Sequence, residues 1–208
     1  MELNKELNER VMTFENGMTF IHHPLLVTVF MGHDMEIEHS NKLYKYKCEQ
    51  AHIAELKKDM NKFVFTHERA YRFDALHKIS ITPNYWKASK KDYWKLVADV
   101  WVDQESIYEN KEEWSDILIH KTLDDCHLMM DEDEQKEFDK LPQEFKIYRG
   151  GIDAYAFSWT LDKKKAEWFA NRFGANNKVF TKTIKKENAL ALFNARGEKE
   201  ILYNFLSE

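Results

Sequence analysis

The sequence has few residues that interrupt regular structure, with 3 Pro and 6 Gly among 208 residues. Proline fixes one backbone angle and glycine frees both, so their scarcity argues against long loops, low-complexity linkers and collagen-like repeats. It also favours helices over many short strands. A chain of 208 residues, of which 43% are hydrophobic and 14% aromatic, is long enough and apolar enough to bury a core. We therefore expect a folded protein that is helical over much of its length.

Cysteine is equally scarce, and long apolar runs are missing. Cys48 and Cys126 lie far apart, which gives neither a disulfide framework nor a zinc-ligand spacing and fits a reducing cytosol. The first ten residues lack the basic stretch and apolar run of a signal peptide. No segment approaches the roughly 20 apolar residues of a membrane helix. We expect a soluble, cytoplasmic protein without a membrane partner.

Several enzyme and metal signatures are also missing. The sequence has no Walker loop, GxGxxG, GxSxG or HExxH, so those enzyme classes have no support. His22 and His23 are adjacent and would face opposite sides of a strand, whereas His120 and His127 are two helical turns apart. The acidic residues 131–134 lack the spacing and glycine of a calcium loop. We predict no metal.

The net charge of −5 is unevenly distributed. Residues 143–208 hold 12 Lys+Arg against 8 Asp+Glu, which leaves 19 against 28 in residues 1–142. The basic C-terminal part suits a polyanionic ligand such as a dinucleotide, and the acidic part argues against general nucleic-acid binding. Chance placement of solvated surface charge explains the same asymmetry equally well.

The N-terminal part reads as a hairpin followed by helices. Asn16-Gly17 is a favoured hairpin turn, and an apolar strand follows at Leu25–Phe30. Apolar residues spaced three or four apart predict helices over residues 42–78 and from a cap at Asp92 through Trp101. Residues 131–139 form a solvated helix or a connector. We place a boundary here, with a mainly helical part over 1–142 and a second module over 143–208.

The C-terminal module alternates quickly between strands and one helix, which indicates an α+β fold. The Gly150-Gly151 pair predicts a turn after the first strand. Near residues 162–173, apolar residues fall on one helical face. The predicted strands are residues 145–149, 156–159, 179–184, 190–193 and 201–205.

Four pieces of this module stand in a fixed order, and each is a weak signal alone. They are Tyr148-Arg149-Gly150, Ser158-Trp159-Thr160, the helix with Ala166 and Phe169-Ala170, and Glu198-Lys199-Glu200. Together they resemble the Arg–Ser–Glu, cholera-toxin-like class of mono-ADP-ribosyltransferases over roughly residues 143–208. The resemblance extends more loosely to phage- and prophage-encoded members in which a Trp-rich helix precedes the module.

The resemblance implies an enzyme that transfers ADP-ribose from NAD⁺, its substrate, to a macromolecular acceptor, with a fold in which helices pack on a mixed β unit. Glu200 would hold the ribose and stabilise the oxocarbenium-like centre formed when nicotinamide leaves. Glu198 would engage an acceptor guanidinium, which favours a protein arginine, and the expected acceptor is a host protein. The residues that would form the NAD⁺ pocket are Tyr148, Arg149, Gly150, Ser158 and Thr160.

Further positions follow from the same resemblance. The loop at residues 172–177 falls where the family has its phosphate–nicotinamide loop, and residues 194–197 fall where it has an acceptor-recognition turn. The family carries additional strands after the catalytic glutamate, so either the N-terminal strands near residues 11–30 complete the sheet or the domain is trimmed. Two other functions stay open: transfer to nucleic acid, and a non-catalytic interaction protein on the same fold.

Overall fold

The computed structural model describes residues 1–104, 107–120, 123–172, 178–195 and 197–207. Within these ranges the chain combines helices with two antiparallel sheets, so the α+β class is confirmed. The chain divides into two compact units, Met1–Ser89 and Lys90–Glu208. None of the helices within the described ranges is long and apolar enough to cross a membrane.

The first unit begins with a small sheet. After a one-turn helix, α1, three antiparallel strands pair in the order β1-β2-β3. The predicted hairpin turn is present, and Gly17 adopts the left-handed φ of 79° that glycine tolerates without a Cβ clash. The bounds are α1 Lys5–Asn8, β1 Val11–Thr13, β2 Thr19–His23 and β3 Leu26–Val29. These strands form a sheet of their own, so of the two alternatives the one in which they complete the C-terminal sheet is wrong.

The remainder of the first unit is helical. The helix predicted over residues 42–78 is interrupted, because Lys58 adopts a left-handed φ of 59° and the Asp59 side chain caps a new helix through the Lys62 amide. A 3₁₀ turn at Arg69–Tyr71 introduces the next helix. The bounds are α2 Asp34–Lys57, α3 Met60–Thr66, α4 Arg72–Ile81 and α5 Pro83–Trp86.

The second unit opens with the Trp-rich helix α6, Lys90–Asp103. Its predicted apolar stripe is buried, including Leu96, Val97 and Trp101. Asp92 lies inside the first turn, so the prediction that it caps the helix is wrong; the helix begins two residues earlier. Shorter helical segments follow: a 3₁₀ turn Ile107–Asn110, α7 Lys111–Ser115, a π turn Asp116–His120, a 3₁₀ segment Leu123–Met129 and α8 Glu132–Asp139.

The acidic stretch at 131–139 is a helix, because Asp131 accepts from the amides of Asp133 and Glu134 and the Glu134 carboxylate returns to the Asp131 amide. Glu134 also accepts from the amide of Asn194, which lies just beyond strand β7, Ala189–Phe193. Through such contacts α6, α7 and α8 belong to the same compact unit as the C-terminal strands. The division between units therefore falls after Ser89, and the predicted boundary at 142 lies inside the second unit.

The second sheet has five antiparallel strands in the order β6-β4-β5-β8-β7. One face carries a core that includes Ile147, Trp159, Leu192 and Ile201, on which Met130 and other apolar residues pack. The candidate site residues lie on β4, on β5 and at or just before the start of β8. The bounds are β4 Glu144–Gly151, β5 Ser158–Thr160, β6 Lys178–Lys185, β7 as above and β8 Glu200–Tyr203, with α9 at Lys163–Arg172.

The predicted turn at Gly150-Gly151 is wrong, because both glycines continue β4 and pair with β6. A Cβ on Gly150 would lie 2.0 Å from the Ala166 carbonyl oxygen and 2.5 Å from the Ala170 amide nitrogen. The glycine therefore allows α9 to approach the strand, and the small buried Ala166 and Ala170 serve the same contact from the helix.

Cys126 supplies a pH-dependent test of a different contact in the second unit, the packing of its 3₁₀ segment Leu123–Met129 against α6. Burial raises the pKa of its thiol from 9.0 to about 12, and Asp125 adds to the increase. Between these pH values the unfolded chain binds fewer protons than the folded chain. The free energy of unfolding should therefore fall as pH rises through this window, by roughly 1.4 kcal/mol per pH unit for one such group.

We expect Cys126→Ala to remove this part of the alkaline loss of stability. Urea unfolding followed by tryptophan fluorescence, from about pH 8 to about pH 11, measures the slope. Burial also raises the pKa of Tyr93 to about 12, so some slope above pH 10 remains in both proteins. Parallel curves for the two proteins would contradict the assignment.

Candidate functional site

A hydrogen bond between side chains joins two of the predicted site residues, Ser158 and Glu200. The Ser158 hydroxyl donates to Glu200 Oε1 at 2.5 Å, across 42 residues of sequence. Both side chains are half-buried. A hydroxyl donating to a carboxylate is a charge-assisted hydrogen bond, which is stronger and more directional than a neutral one. The contact therefore fixes the carboxylate against β5.

Strand pairing explains why these two residues meet. β5 and β8 are antiparallel neighbours, with Thr160 opposite Glu200 and Ser158 opposite Leu202. Alternation along the strands puts Ser158, Thr160 and Glu200 on one face. Trp159 and Ile201 face the other way and are buried in the core. The prediction that the Trp159 indole points away from the two hydroxyls is confirmed.

A second hydrogen-bond donor to the Glu200 carboxylate is Trp101, on α6. The Trp101 indole Nε1 donates to the same oxygen, Glu200 Oε1, at 3.3 Å. Trp101 is 1% exposed and packs edge-on against Trp114, with ring centroids 4.9 Å apart. Trp114 in turn donates its own indole N–H to Gln104 at 2.8 Å. A buried tryptophan needs an acceptor for its N–H, and here the acceptor is the predicted catalytic carboxylate.

Arg149 reaches the same place through the backbone of Ser158. Its Nη1 donates to the Ser158 carbonyl oxygen at 2.8 Å, and its Nε donates to the Asp153 carbonyl oxygen at 3.2 Å. Ser158 thus accepts from Arg149 with its carbonyl and donates to Glu200 with its hydroxyl. The guanidinium is held in a fixed orientation at the end of β4 by carbonyls that also shape the loop between β4 and β5.

Thr160 and Glu198 meet through the backbone. The Thr160 hydroxyl donates to the Glu198 carbonyl oxygen at 2.5 Å and accepts from the Asp162 amide at 2.9 Å. The threonine therefore ties the start of β8 to the start of α9. The half-buried Glu198 carboxylate makes no hydrogen bond or ion pair with the residues that the structure describes.

The two glutamates are separated by a residue in an unusual conformation. Lys199 has a left-handed φ of 46°, and its carbonyl accepts from the Leu161 amide at 3.0 Å. Such a φ costs a non-glycine residue about 1 kcal/mol. Because β8 begins at Glu200, Glu198 lies before the strand, and the alternation rule does not fix the direction of its side chain.

Tyr148 and Gly150 occupy structural positions beside this centre. Tyr148 is half-buried and lies opposite Thr160 on β5 and Thr181 on β6. Gly150 lies under α9 in close backbone contact, as described above. The geometry thus accounts for glycine at position 150 by packing, independently of any cofactor.

A small cleft of about 30 Å³ adjoins Arg149 and Ser158. It is lined by both residues together with Ile107, Lys111, Ala156 and Phe157. Lys111 lies over the Phe205 ring, with its Nζ 4.6 Å from the centroid. Sites that hold drug-sized ligands are typically about 300 Å³ or larger, so this cleft is smaller than a nucleotide needs.

Two of the predicted loops include residues that the structure does not describe. The proposed phosphate–nicotinamide loop, 172–177, lies outside the described residues except for Arg172. In the proposed acceptor-recognition turn, the Gly197 amide donates to the Asn194 carbonyl at 2.7 Å, and Gly197 has a left-handed φ of 60°. Arg196 lies outside the description. In the described part of the chain, no group of three or more His, Cys, Asp or Glu residues is arranged to hold a metal ion.

Comparison with protein-family models, with curated proteins and with solved structures finds no match to this chain. The geometry is therefore the basis for any functional assignment. Ser158 binds the Glu200 carboxylate with its hydroxyl and the Arg149 guanidinium with its carbonyl. A carboxylate held in this way is suited to stabilising a cationic centre, and the guanidinium to binding an anion.

Sequence reasoning missed the contributions of α6 and α7 to this site. Trp101 falls at core spacing on α6 and gives no functional signal, and Ile107 and Lys111 belong to no recognisable pattern. Burial of Trp101 could have raised the question of its N–H acceptor. The acceptor itself is 99 residues away and could not be inferred from spacing.

Proposed function

We propose that the second unit is a mono-ADP-ribosyltransferase that uses NAD⁺ as its substrate. The observation that carries the proposal is the hydrogen bond between Ser158 and Glu200, with Arg149 bound to the carbonyl of the same serine. These are the Arg, Ser and Glu of the family pattern, brought to one point from three strands. The ADP-ribosyltransferase-like fold of the unit is part of this proposal.

In the proposed reaction, the bond between ribose C1′ and the nicotinamide nitrogen breaks, and its electron pair neutralises the pyridinium. The positive charge that develops at the ribose is stabilised by the Glu200 carboxylate. Arg149 supplies a permanent planar cation for a phosphate or ribose oxygen. An acceptor nitrogen then bonds to C1′ and releases a proton.

The acceptor is proposed to be an arginine of a protein in the cytoplasm, the host-cell cytoplasm if the chain is phage-encoded. Glu198 supports this choice, because its carboxylate can pair with a guanidinium and receive its proton. Its lack of a partner among the described residues leaves it available for that contact. Nucleic acid is the alternative acceptor, since the same cleavage chemistry serves any nucleophile that reaches C1′.

Ser158→Ala tests the observation that carries the proposal. Removing the hydroxyl should leave the fold intact but loosen Glu200, lowering ADP-ribose transfer by roughly 10- to 100-fold. The measurement is incorporation of label from NAD⁺ into a cell lysate, resolved by treatment with protease and nuclease. Ser80→Ala, which removes a buried hydroxyl from the first unit, is the matched control. Equal labelling by the two variants would refute the role of the contact.

A second candidate is a non-catalytic interaction protein on the same fold. The observation that favours it is the small size of the cleft beside Arg149 and Ser158, which is lined by Ile107 and Lys111. Calorimetric titration with NAD⁺ separates the two candidates. Saturable binding that is lost in an Arg149→Ala variant supports the enzyme, whereas absence of binding supports the interaction protein.

A further inference from the structure

The Glu200 carboxylate receives two hydrogen bonds on one oxygen, from two different parts of the second unit. The Ser158 hydroxyl on β5 and the Trp101 indole on α6 both donate to Oε1. Two donors on the same oxygen restrict rotation about the last bond of the glutamate side chain. The carboxylate plane is therefore set by the helix as well as by the sheet.

The two donors differ in how firmly they are held. A serine hydroxyl can rotate to another acceptor, whereas an indole N–H points wherever its ring is packed. The Trp101 ring is 1% exposed and is fixed edge-on against Trp114. Trp114 is itself fully buried and is anchored by its bond to Gln104. The Trp101 N–H is therefore a donor of fixed direction to the carboxylate, whereas the Trp114 N–H is directed to Gln104.

We propose that Trp101 is a positioning residue that holds the Glu200 carboxylate in the orientation needed to stabilise the ribose cation. This inference rests on the proposed function and extends it to the helix before the C-terminal strands. Precise orientation of a charged group matters most where charge develops in the transition state. Loss of the indole N–H should therefore lower kcat and leave the KM for NAD⁺ nearly unchanged.

The test is Trp101→Phe, which keeps an aromatic ring and removes the donor. We expect kcat for NAD⁺ cleavage to fall about tenfold, with KM changed by less than about twofold. Trp114→Phe is the matched control, because it removes the same N–H from the neighbouring ring, where the acceptor is Gln104 and not the carboxylate. It should retain wild-type kcat, and both variants should show similar thermal stability.

A second readout reports the contact without requiring activity. In ¹H–¹⁵N spectra, Glu200→Ala should move the indole resonance of Trp101 and accelerate its hydrogen exchange, with a smaller effect on Trp114. The two tryptophan variants assign these resonances. An unmoved Trp101 resonance overturns the inference.

The kinetic outcomes separate this inference from the function on which it rests. An inactive wild-type protein refutes the proposed function and, with it, the catalytic role of Trp101. An active wild-type protein with an equally active Trp101→Phe variant refutes the positioning role alone. A lower kcat in Trp101→Phe but not in Trp114→Phe supports it.

Discussion

Glu200→Gln should lower ADP-ribose transfer by about 10³-fold while leaving the fold intact. The amide has the size of the carboxylate and retains an oxygen that can accept from Ser158 and Trp101. It lacks the negative charge that stabilises the ribose cation, and removal of such electrostatic support is among the costliest changes at an active site. Label transferred from NAD⁺, measured over time at equal protein concentration, gives the ratio.

Glu198→Gln is the matched control for that substitution. The two glutamates are separated by one residue, but the Glu198 carboxylate is proposed to act on the acceptor and not on the ribose. We therefore expect the Glu198 variant to retain cleavage of NAD⁺ while losing transfer to arginine, whereas the Glu200 variant loses both. Wild-type transfer by Glu200→Gln would remove the basis of the assignment.

Gly150→Ala should destabilise the second unit by about 3 kcal/mol, because the added methyl group cannot be accommodated. Its Cβ would lie 2.0 Å from a backbone oxygen and 2.5 Å from a backbone nitrogen of α9. Neither atom can rotate away as the end of a side chain could, so the helix must move off the strand. Urea unfolding monitored by tryptophan fluorescence measures the change.

The neighbouring glycine is the control for this effect. The atoms nearest to a Cβ on Gly151 belong to the Arg149 side chain, at 3.5 Å or more, which is ordinary van der Waals contact. Gly151→Ala should therefore change stability by less than about 1 kcal/mol. If both variants are equally stable, the close approach of α9 to β4 is not a feature of the protein.

The elements that could be predicted from the sequence are those defined by local patterns. The apolar spacing on α6 and the alternation in β6 reflect burial of one face, so the pattern identifies the element. The hairpin turn at Gly17 is set by local backbone preference. For the candidate site, alternation along β5 separates Trp159 from Ser158 and Thr160 without knowledge of the fold.

The features that could not be predicted depend on distant parts of the chain. Gly150-Gly151 has the local preference of a turn, but packing of Ala166 and Ala170 overrides it. The boundary at 142 is predicted from a local change of periodicity. Such a change carries no information on the hydrogen bond between Glu134 and Asn194, which joins helix and sheet. The contact from Trp101 to Glu200 spans 99 residues and leaves no trace in either local pattern.

Under the proposed function, the second unit cleaves the nicotinamide–ribose bond of NAD⁺. The most direct measurement is release of nicotinamide by the purified full chain, compared with its Glu200→Gln variant, because it does not depend on knowing the acceptor. We expect nicotinamide release by the wild-type protein, faster in the presence of an arginine-containing acceptor, and almost none by the variant. Release that is absent from both proteins with every acceptor supplied, or equal in both, would contradict it.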